Sequence, residues 1–252
     1  MSRLSLLLIA FCSPMLLFAQ GAGLAQAAMD YFNSATLTDA QVAEYSRQAV
    51  QQMDQKNPVA APNDPYTQRL NRIVSRHRTV SGLPINYKVY KVPDVNAFAT
   101  ADGSVRVFKG LMDIMSDNEL LAIMGHEIGH VINHDSRDAM KSALRRSAVR
   151  NVAASQSGLI GKVSRSQLGG LADYMLGASF SRRQESEADD YSYDFMKRNG
   201  YNVMALATSF EKLAKQSGGG GGSVTQILST HPDSKARAQR VRDRARRDGL
   251  AR

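Results

Sequence analysis

The chain of 252 residues has no tryptophan and one cysteine, Cys12. A single thiol excludes an intrachain disulfide and any site built from paired cysteines, zinc ribbons and dithiol redox motifs included. Cys12 is also a poor lipidation site, because bulky Phe11 stands in Ile9-Ala10-Phe11-Cys12 where a lipoprotein cleavage site needs a small residue. Long apolar runs are equally scarce. The run from Leu4 to Phe18 is interrupted by Ser5, Ser13 and Pro14, and it falls short of the ~20 residues a membrane-spanning helix needs. The stretch from 136 to 180 holds no run of that length either, which excludes a polytopic membrane protein. There is no internal repeat.

What is present begins with a leader. Arg3 precedes the apolar run, and Ala19-Gln20-Gly21 and Ala25-Gln26-Ala27 follow as small-residue exits. This pattern predicts a secretory signal peptide over 1–27 and an exported chain; an uncleaved anchor is the competing reading. Apolar content of 43% and charged content of 22% are those of a globular protein, and residues 28–252 suit one domain with a single core. The net charge is +9, much of it at the far end, where eight basic residues from Lys235 onward face only Asp243 and Asp248. A basic helix over 235–252 reads first as a solvated face. Its best-matched partner is an anionic membrane surface, and an exported chain disfavours nucleic acid.

The remainder reads as mainly helical α+β. Thr38 with Gln41 forms a capping box before Val42, Tyr45, Ala49 and Met53 at helical spacing. Asp64-Pro65 starts a second helix whose inner side carries Leu70, Ile73, Val74 and His77. Strand character follows at Tyr87–Val92, Val95–Thr100 and Ser104–Phe108, with Asp102-Gly103 as the hairpin turn. Ser116 with Glu119 is a second capping box and opens another helix directly after this small sheet. Residues 136–180 read as helix with glycine interruptions, either a mobile lid or a plain helix hairpin. Helices are also predicted over Gln184–Arg198, closed by Asn199-Gly200, and from Asn202 through Ala214; the glycines 218–222 form a flexible run.

The helix opened by Ser116 carries His126-Glu127-Ile128-Gly129-His130. Positions four apart stack on one helix face, so both imidazoles project together. Two neutral imidazoles at about 2.0–2.1 Å from one ion, with a third protein ligand and an open position, is how catalytic zinc is held. Glu127 is then placed to take a proton from water at the metal. The bland alternative is a solvated helix that happens to carry these residues. A third ligand must come from elsewhere. Ser136 and Asn133 exclude the spacing of the metzincins, and His134 reads as a helix-end residue near the carbonyl dipoles. Glu185 and Asp189 share the four-residue spacing: one carboxylate can bind metal while the other accepts the second N–H of a ligating histidine. By themselves, acidic helix faces are common, and Glu187 and Asp190 read as nothing more. A structural zinc would be closed by four protein ligands; the count here leaves one position for water.

These motifs resemble the gluzincin family of the CAAX prenyl proteases and the HtpX heat-shock protease. The resemblance rests on the two-histidine motif paired with Ser181-Arg182 through Glu185 and Ala188-Asp189. Val95-Asn96-Ala97-Phe98-Ala99, Arg106 through Leu111, and Thr230-His231-Pro232 with Arg237 extend it over about residues 35–248. It implies a zincin-like metalloprotease domain with a small sheet beside the metal-binding helix and one Zn2+ held by His126, His130 and Glu185. It makes Glu127 the general base and Asp189 the partner of a ligating histidine or a proton donor. His231 becomes the histidine that stabilises the oxyanion or fills the open zinc position at rest, with Arg237 as second choice of oxyanion donor. As a bland alternative, His231 caps a turn before Pro232. Asn96, Ala97, Phe98 and Ala99 become the strand along which an extended polypeptide substrate lies, with Arg237 beside it. Implied with them are the bacterial periplasm, peripheral association with the outer membrane, and cleavage of unfolded or misassembled envelope proteins. The other class is an envelope assembly factor or chaperone with a latent or vestigial site.

Overall fold

The computed structural model describes residues 37–153, 170–171, 173–174, 176–217 and 225–251. The chain divides into two compact units, Met1–Thr36 with Leu144–Val163, and Leu37–Ala143 with Ser164–Arg252. The expected signal peptide, the segment 28–36, the glycine run 218–222 and the middle of the lid-or-hairpin stretch lie outside the described residues. The second unit carries all the candidate site residues.

Its first helices begin where the caps place them. Helix α1 (Asp39–Lys56) has the Thr38–Gln41 capping box and ends at Asn57, before Pro58. Helix α2 (Pro65–Ile73) has Asp64 as N-cap, its side chain accepting from the Tyr66 N–H at 2.9 Å. His77 lies beyond α2 rather than on it, buried with Nε2 2.9 Å from the Tyr201 hydroxyl. After the short hairpin β1 (Thr79–Val80) and β2 (Leu83–Pro84) comes a three-stranded sheet. Strand β3 (Asn86–Tyr90) runs parallel to β5 (Ser104–Phe108), and β4 (Ala97–Ala99) pairs antiparallel with β5's other side. The order β3-β5-β4 leaves β3 and β4 at the edges. The β3 edge is covered by residues 58–60, through Ala60 N–H to Val89 C=O and Lys91 N–H to Pro58 C=O. β5 covers the predicted Ser104–Phe108, whereas β3 and β4 are shorter than the predicted Tyr87–Val92 and Val95–Thr100; between them Pro93 has no backbone donor to give the ladder. One short helix the periodicity does not predict, α3 (Lys109–Ile114), separates sheet and metal-motif helix.

That helix, α4 (Asp117–Ile132), is buried along its whole middle, from Glu119 to Val131. Helix α5 (Asp135–Ala153) follows after two residues. Helix α6 (Arg182–Arg198) carries a further capping box, Ser181 with Gln184, and α7 (Met204–Ser217) starts after Asn202. The short α8 (Thr225–Thr230) and the basic α9 (Ser234–Arg247) complete the described chain. Leu120, Leu121, Ile123, Met124 and Ile128 of α4 sit in the main apolar core with Val105, Val107, Phe195, Met196, Leu206 and Phe210. Each large side chain buried this way contributes about 1.5–3 kcal/mol.

Helix α4 lies between the β4–β5 side of the sheet and helix α6. The α4–α6 approach is close because α4 offers glycines there. A Cβ on Gly129 would come within 3.1 Å of the Ala188 backbone, and one on Gly125 within 3.1 Å of Ser192 Oγ. Ser192 donates to the Ala122 carbonyl at 2.7 Å across the same seam. This crossing sets the metal motif of α4 against the acidic face of α6.

Candidate metal centre

The motif helix is anchored at its start. The Ser116 N–H donates to Glu119 at 2.7 Å, and Lys212 of α7 donates to the same carboxylate at 2.6 Å. Two turns on, His126 and His130 are both buried, with Nε2 atoms 3.2 Å apart. From α6, Glu185 brings Oε1 to 3.4 Å from His130 Nε2 and Oε2 to 3.6 Å from His126 Nε2. The α8–α9 turn adds His231, whose Nδ1 lies 2.8 Å from Glu185 Oε1 and 3.2 Å from His126 Nε2. One ligand atom from each of these four residues lies within 4.8 Å of the others.

The chemistry of this donor set fits a cation. His126 Nδ1 is 3.0 Å from Asp189 Oδ1, and His130 Nδ1 is 2.9 Å from Asp135 Oδ2. Carboxylates accept, so each imidazole is assigned its proton on Nδ1, and each Nε2 presents a lone pair to the centre. Lone pairs 3.2 Å apart beside a carboxylate repel unless something positive lies between them. The titration of the groups reflects this. Burial pulls the His130 value down, but hydrogen bonds to Asp135 and Glu185 outweigh it and raise it to about 9. Burial, helped by the Arg237 charge, pushes His126 well below its ordinary value. Burial raises Glu185, yet His130 and His231 overcome that and hold its carboxyl far below the usual range. A cation bound at this centre would take the place of the proton that His130 otherwise carries.

A family model, Peptidase family M48, matches residues 64–245. The chain belongs to peptidase family M48. Metalloprotease LoiP of Escherichia coli K12 is 47% identical over 229 residues, 90% of both chains. Metalloprotease YcaL of the same strain is 42% identical over 217 residues, 86% of this chain and 84% of that one. The beta-barrel assembly-enhancing protease of E. coli K12 is 32% identical over 196 residues, 73% of this chain and 40% of that longer protein. An M48 peptidase with a buried His-Glu cluster in a mainly helical α+β domain is a zincin-like metallopeptidase.

The other expected residues of this M48 site are placed as follows. Glu127 is buried beside the cluster, with His231 Nε2 3.6 Å from its Oε1, and burial raises its pKa although the His231 charge draws it down. Asp189 receives Arg237 Nη2 at 2.6 Å, Arg237 Nε at 3.0 Å and Arg240 Nη2 at 2.8 Å, which fix its carboxylate group against His126. Arg237 is 6% exposed and its third nitrogen, Nη1, lies 2.6 Å from Glu185 Oε2. That contact is electrostatic, since no well-directed hydrogen bond reaches this oxygen. The guanidinium also lies over Phe210 at 4.1 Å. All three nitrogens lie against carboxylates of the site, two of them hydrogen-bonded to Asp189. Ala97, Phe98 and Ala99 form the edge strand β4 beside the motif helix, and Asn96 precedes it, its Oδ1 accepting the Ala97 N–H at 2.9 Å.

His231 joins the three expected donors, at one of the two places the resemblance offers it, because the turn after α8 seats it against Glu185. Two expectations change. The basic helix ends at Arg247 and is solvated on one side only, at Lys235, Arg246 and Arg247: on the other, Arg237 and Arg240 reach Asp189, Arg242 reaches Glu211 at 2.7 Å, and Arg244 reaches Asp190 at 3.0 Å and Asp194 at 2.6 Å. Asp190 is thus half of an inter-helix pair, whereas Glu187 pairs only along its own helix with Arg183. His134 is exposed in a left-handed turn, away from the cluster. Sequence reasoning missed Asp135, Gln184, Arg240 and Phe180, whose ring stacks on His130 at 3.9 Å. For Asp135 a signal existed, a carboxylate one turn past the motif. For Phe180 none did.

Proposed function

We propose that this M48 peptidase is a zinc endopeptidase exported to the bacterial periplasm, where it hydrolyses unfolded or misassembled envelope proteins. The observation that carries the catalytic part is the convergence of two imidazole Nε2 atoms and the Glu185 carboxylate beside buried Glu127. The envelope part is supported by the leader over 1–27 and by a relative that is a beta-barrel assembly-enhancing protease. No described helix is long and apolar enough to cross a membrane.

His126, His130 and Glu185 would hold the zinc. When bound, it would supply Lewis acidity toward the scissile carbonyl and bring the pKa of water toward about 7. Glu127 takes the proton from the attacking water at its carboxylate and passes it to the leaving amine; burial, by raising its pKa, suits it to do both. Asp189 accepts a hydrogen bond from the Nδ1–H of His126, and Arg237 with Arg240 keeps Asp189 aimed. Arg237 acts as a positioning residue, through Asp189 and Glu185. The outer edge of β4 has no strand partner among the described residues, which supports Asn96–Ala99 as the strand along which an extended polypeptide adds.

The place of His231 supports a second reading, that of latency. With its Nδ1 among the donors, the set numbers four, as in closed zinc sites. Substrate then enters only as His231 leaves, and its ring becomes available as an oxyanion donor.

Cleavage of casein tests the catalytic reading. The parent should cleave, a chelator should stop it, and added zinc should restore it. Glu127→Gln should keep its zinc and lose roughly 10²–10⁴ in rate; cleavage at the parent's rate would remove Glu127 from the role of base. Mass spectrometry of the N-terminus of protein recovered from the periplasm tests export.

A further inference from the structure

We propose that Asp135 is the positioning residue of His130, fixing its tautomer and tilt for the metal, and that Gln184 holds Asp135 in place. The inference rests on the zinc reading above and adds two residues to it. Asp135 is 5% exposed, and its two oxygens have separate tasks: Oδ2 faces His130 Nδ1 at 2.9 Å, and Oδ1 accepts from Gln184 Nε2 at 2.9 Å. Gln184 is itself fully used. Its Oε1 accepts from the Ser181 N–H at 3.0 Å and the Ser181 hydroxyl at 2.8 Å, closing the capping box of α6. The amide orientation is assigned from this network, oxygen to the cap and nitrogen to the carboxylate. Glu185, the next residue, leaves from the same turn toward the metal. One side chain therefore couples the start of the helix that supplies the carboxylate ligand to the group that orients a histidine ligand.

The backbone is bent to make this contact. Helix α4 ends at Asn133, and His134 adopts φ +67°, a left-handed conformation unfavourable for a side chain other than glycine. That single residue reverses the chain, so that Asp135 opens α5 with its carboxylate folded back under His130; the Asp138 N–H then bonds the His134 carbonyl at 3.0 Å. A residue just past a helix end commonly turns left-handed, and here that turn is what brings Asp135 to His130 and Gln184. Phe180, stacked at 3.9 Å and 15°, confines the ring from its face, while Asp135 sets its rotation in the plane.

Zinc affinity of the full chain, measured by competition with a chromogenic chelator, tests this, with metal-free thermal unfolding recorded in parallel. Asp135→Ala should weaken zinc binding about 10–100-fold. Asp135→Asn, which keeps an acceptor oxygen for Nδ1–H, should lose less, and Gln184→Ala should weaken binding with His130 and Asp135 both present. The cobalt-substituted parent and Asp135→Ala should differ in their visible spectra, since a tilted imidazole changes the ligand field. A parent that binds one zinc beside an Asp135→Ala variant within about two-fold of it overturns this proposal and leaves the zinc site standing. A parent that binds no zinc overturns both. Should Asp135→Ala fail to fold, Gln184→Ala decides: parent-like affinity there removes the coupling.

Discussion

At the scale of single residues, the site is a contest between a proton and a cation for one imidazole. His130 has an ordinary value of 6.5 that its carboxylates raise to about 9. In the metal-free protein the folded state therefore binds this proton more tightly than the unfolded chain. Its contribution to stability is complete below about pH 6.5 and gone above about pH 9. Zinc requires the lone pair, so the sign reverses for metal binding: affinity falls as the pH falls, by up to about tenfold per unit below the raised value. Chelator competition should show zinc bound up to about 100-fold more weakly at about pH 6 than at about pH 8. An affinity flat over this range would mean that His130 does not carry the displaced proton. His126 adds little to the slope, since burial already keeps it neutral.

At the scale of elements, what the sequence made legible depended on how local each signal was. Caps are local. Thr38, Asp64, Ser116 and Asn202 each start a helix where their chemistry requires it. The two-histidine motif and the carboxylate spacing of α6 are also local, and these elements stand where their side chains can meet. The partners of the α9 arginines were not legible, because a charge run carries no information about which acidic face it will meet. The fourth donor was legible only through the resemblance, which offers His231 the open position; no local spacing announces it, since its approach to Glu185 is set by the turn after α8. The seam between α4 and α6 had a faint signature, Gly125 and Gly129 opposite Ala188 and Ser192, each pair four residues apart. It gives a prediction. Gly129→Val inserts a branched side chain where even a Cβ is 3.1 Å from backbone, so the helices must separate. Over-packing of this kind typically costs about 1–3 kcal/mol. The separation also draws Glu185 from His126 and His130, so zinc affinity should fall together with the unfolding temperature. Loss of stability with unchanged zinc affinity would show that the seam does not position the ligands.

At the scale of the whole molecule, a cation at this centre would join three distant parts of the chain, residues 126–130, 185 and 231. Arg237, Arg240 and Arg244 already tie α9 to α6 and take part of its basic character into those contacts. A membrane role for that helix would have to use what these pairs leave over, so the excess charge of +9 is a weaker argument for surface binding than its sum suggests. The metal, by contrast, should act on the entire fold. The unfolded chain has no preformed site, so zinc binding stabilises the folded state by about 2.7 kcal/mol at a free concentration of 100 times its Kd. For a domain of this size that corresponds to a rise of about 5–10 °C in Tm. Thermal unfolding with zinc and after chelation should show that difference in the parent. His231→Ala should retain a smaller rise if His231 is the fourth donor, whereas Glu185→Ala should abolish it. An equal rise in His231→Ala would place His231 outside the metal's ligands and end the argument for latency, while a parent indifferent to chelation would mean that no ion joins these segments.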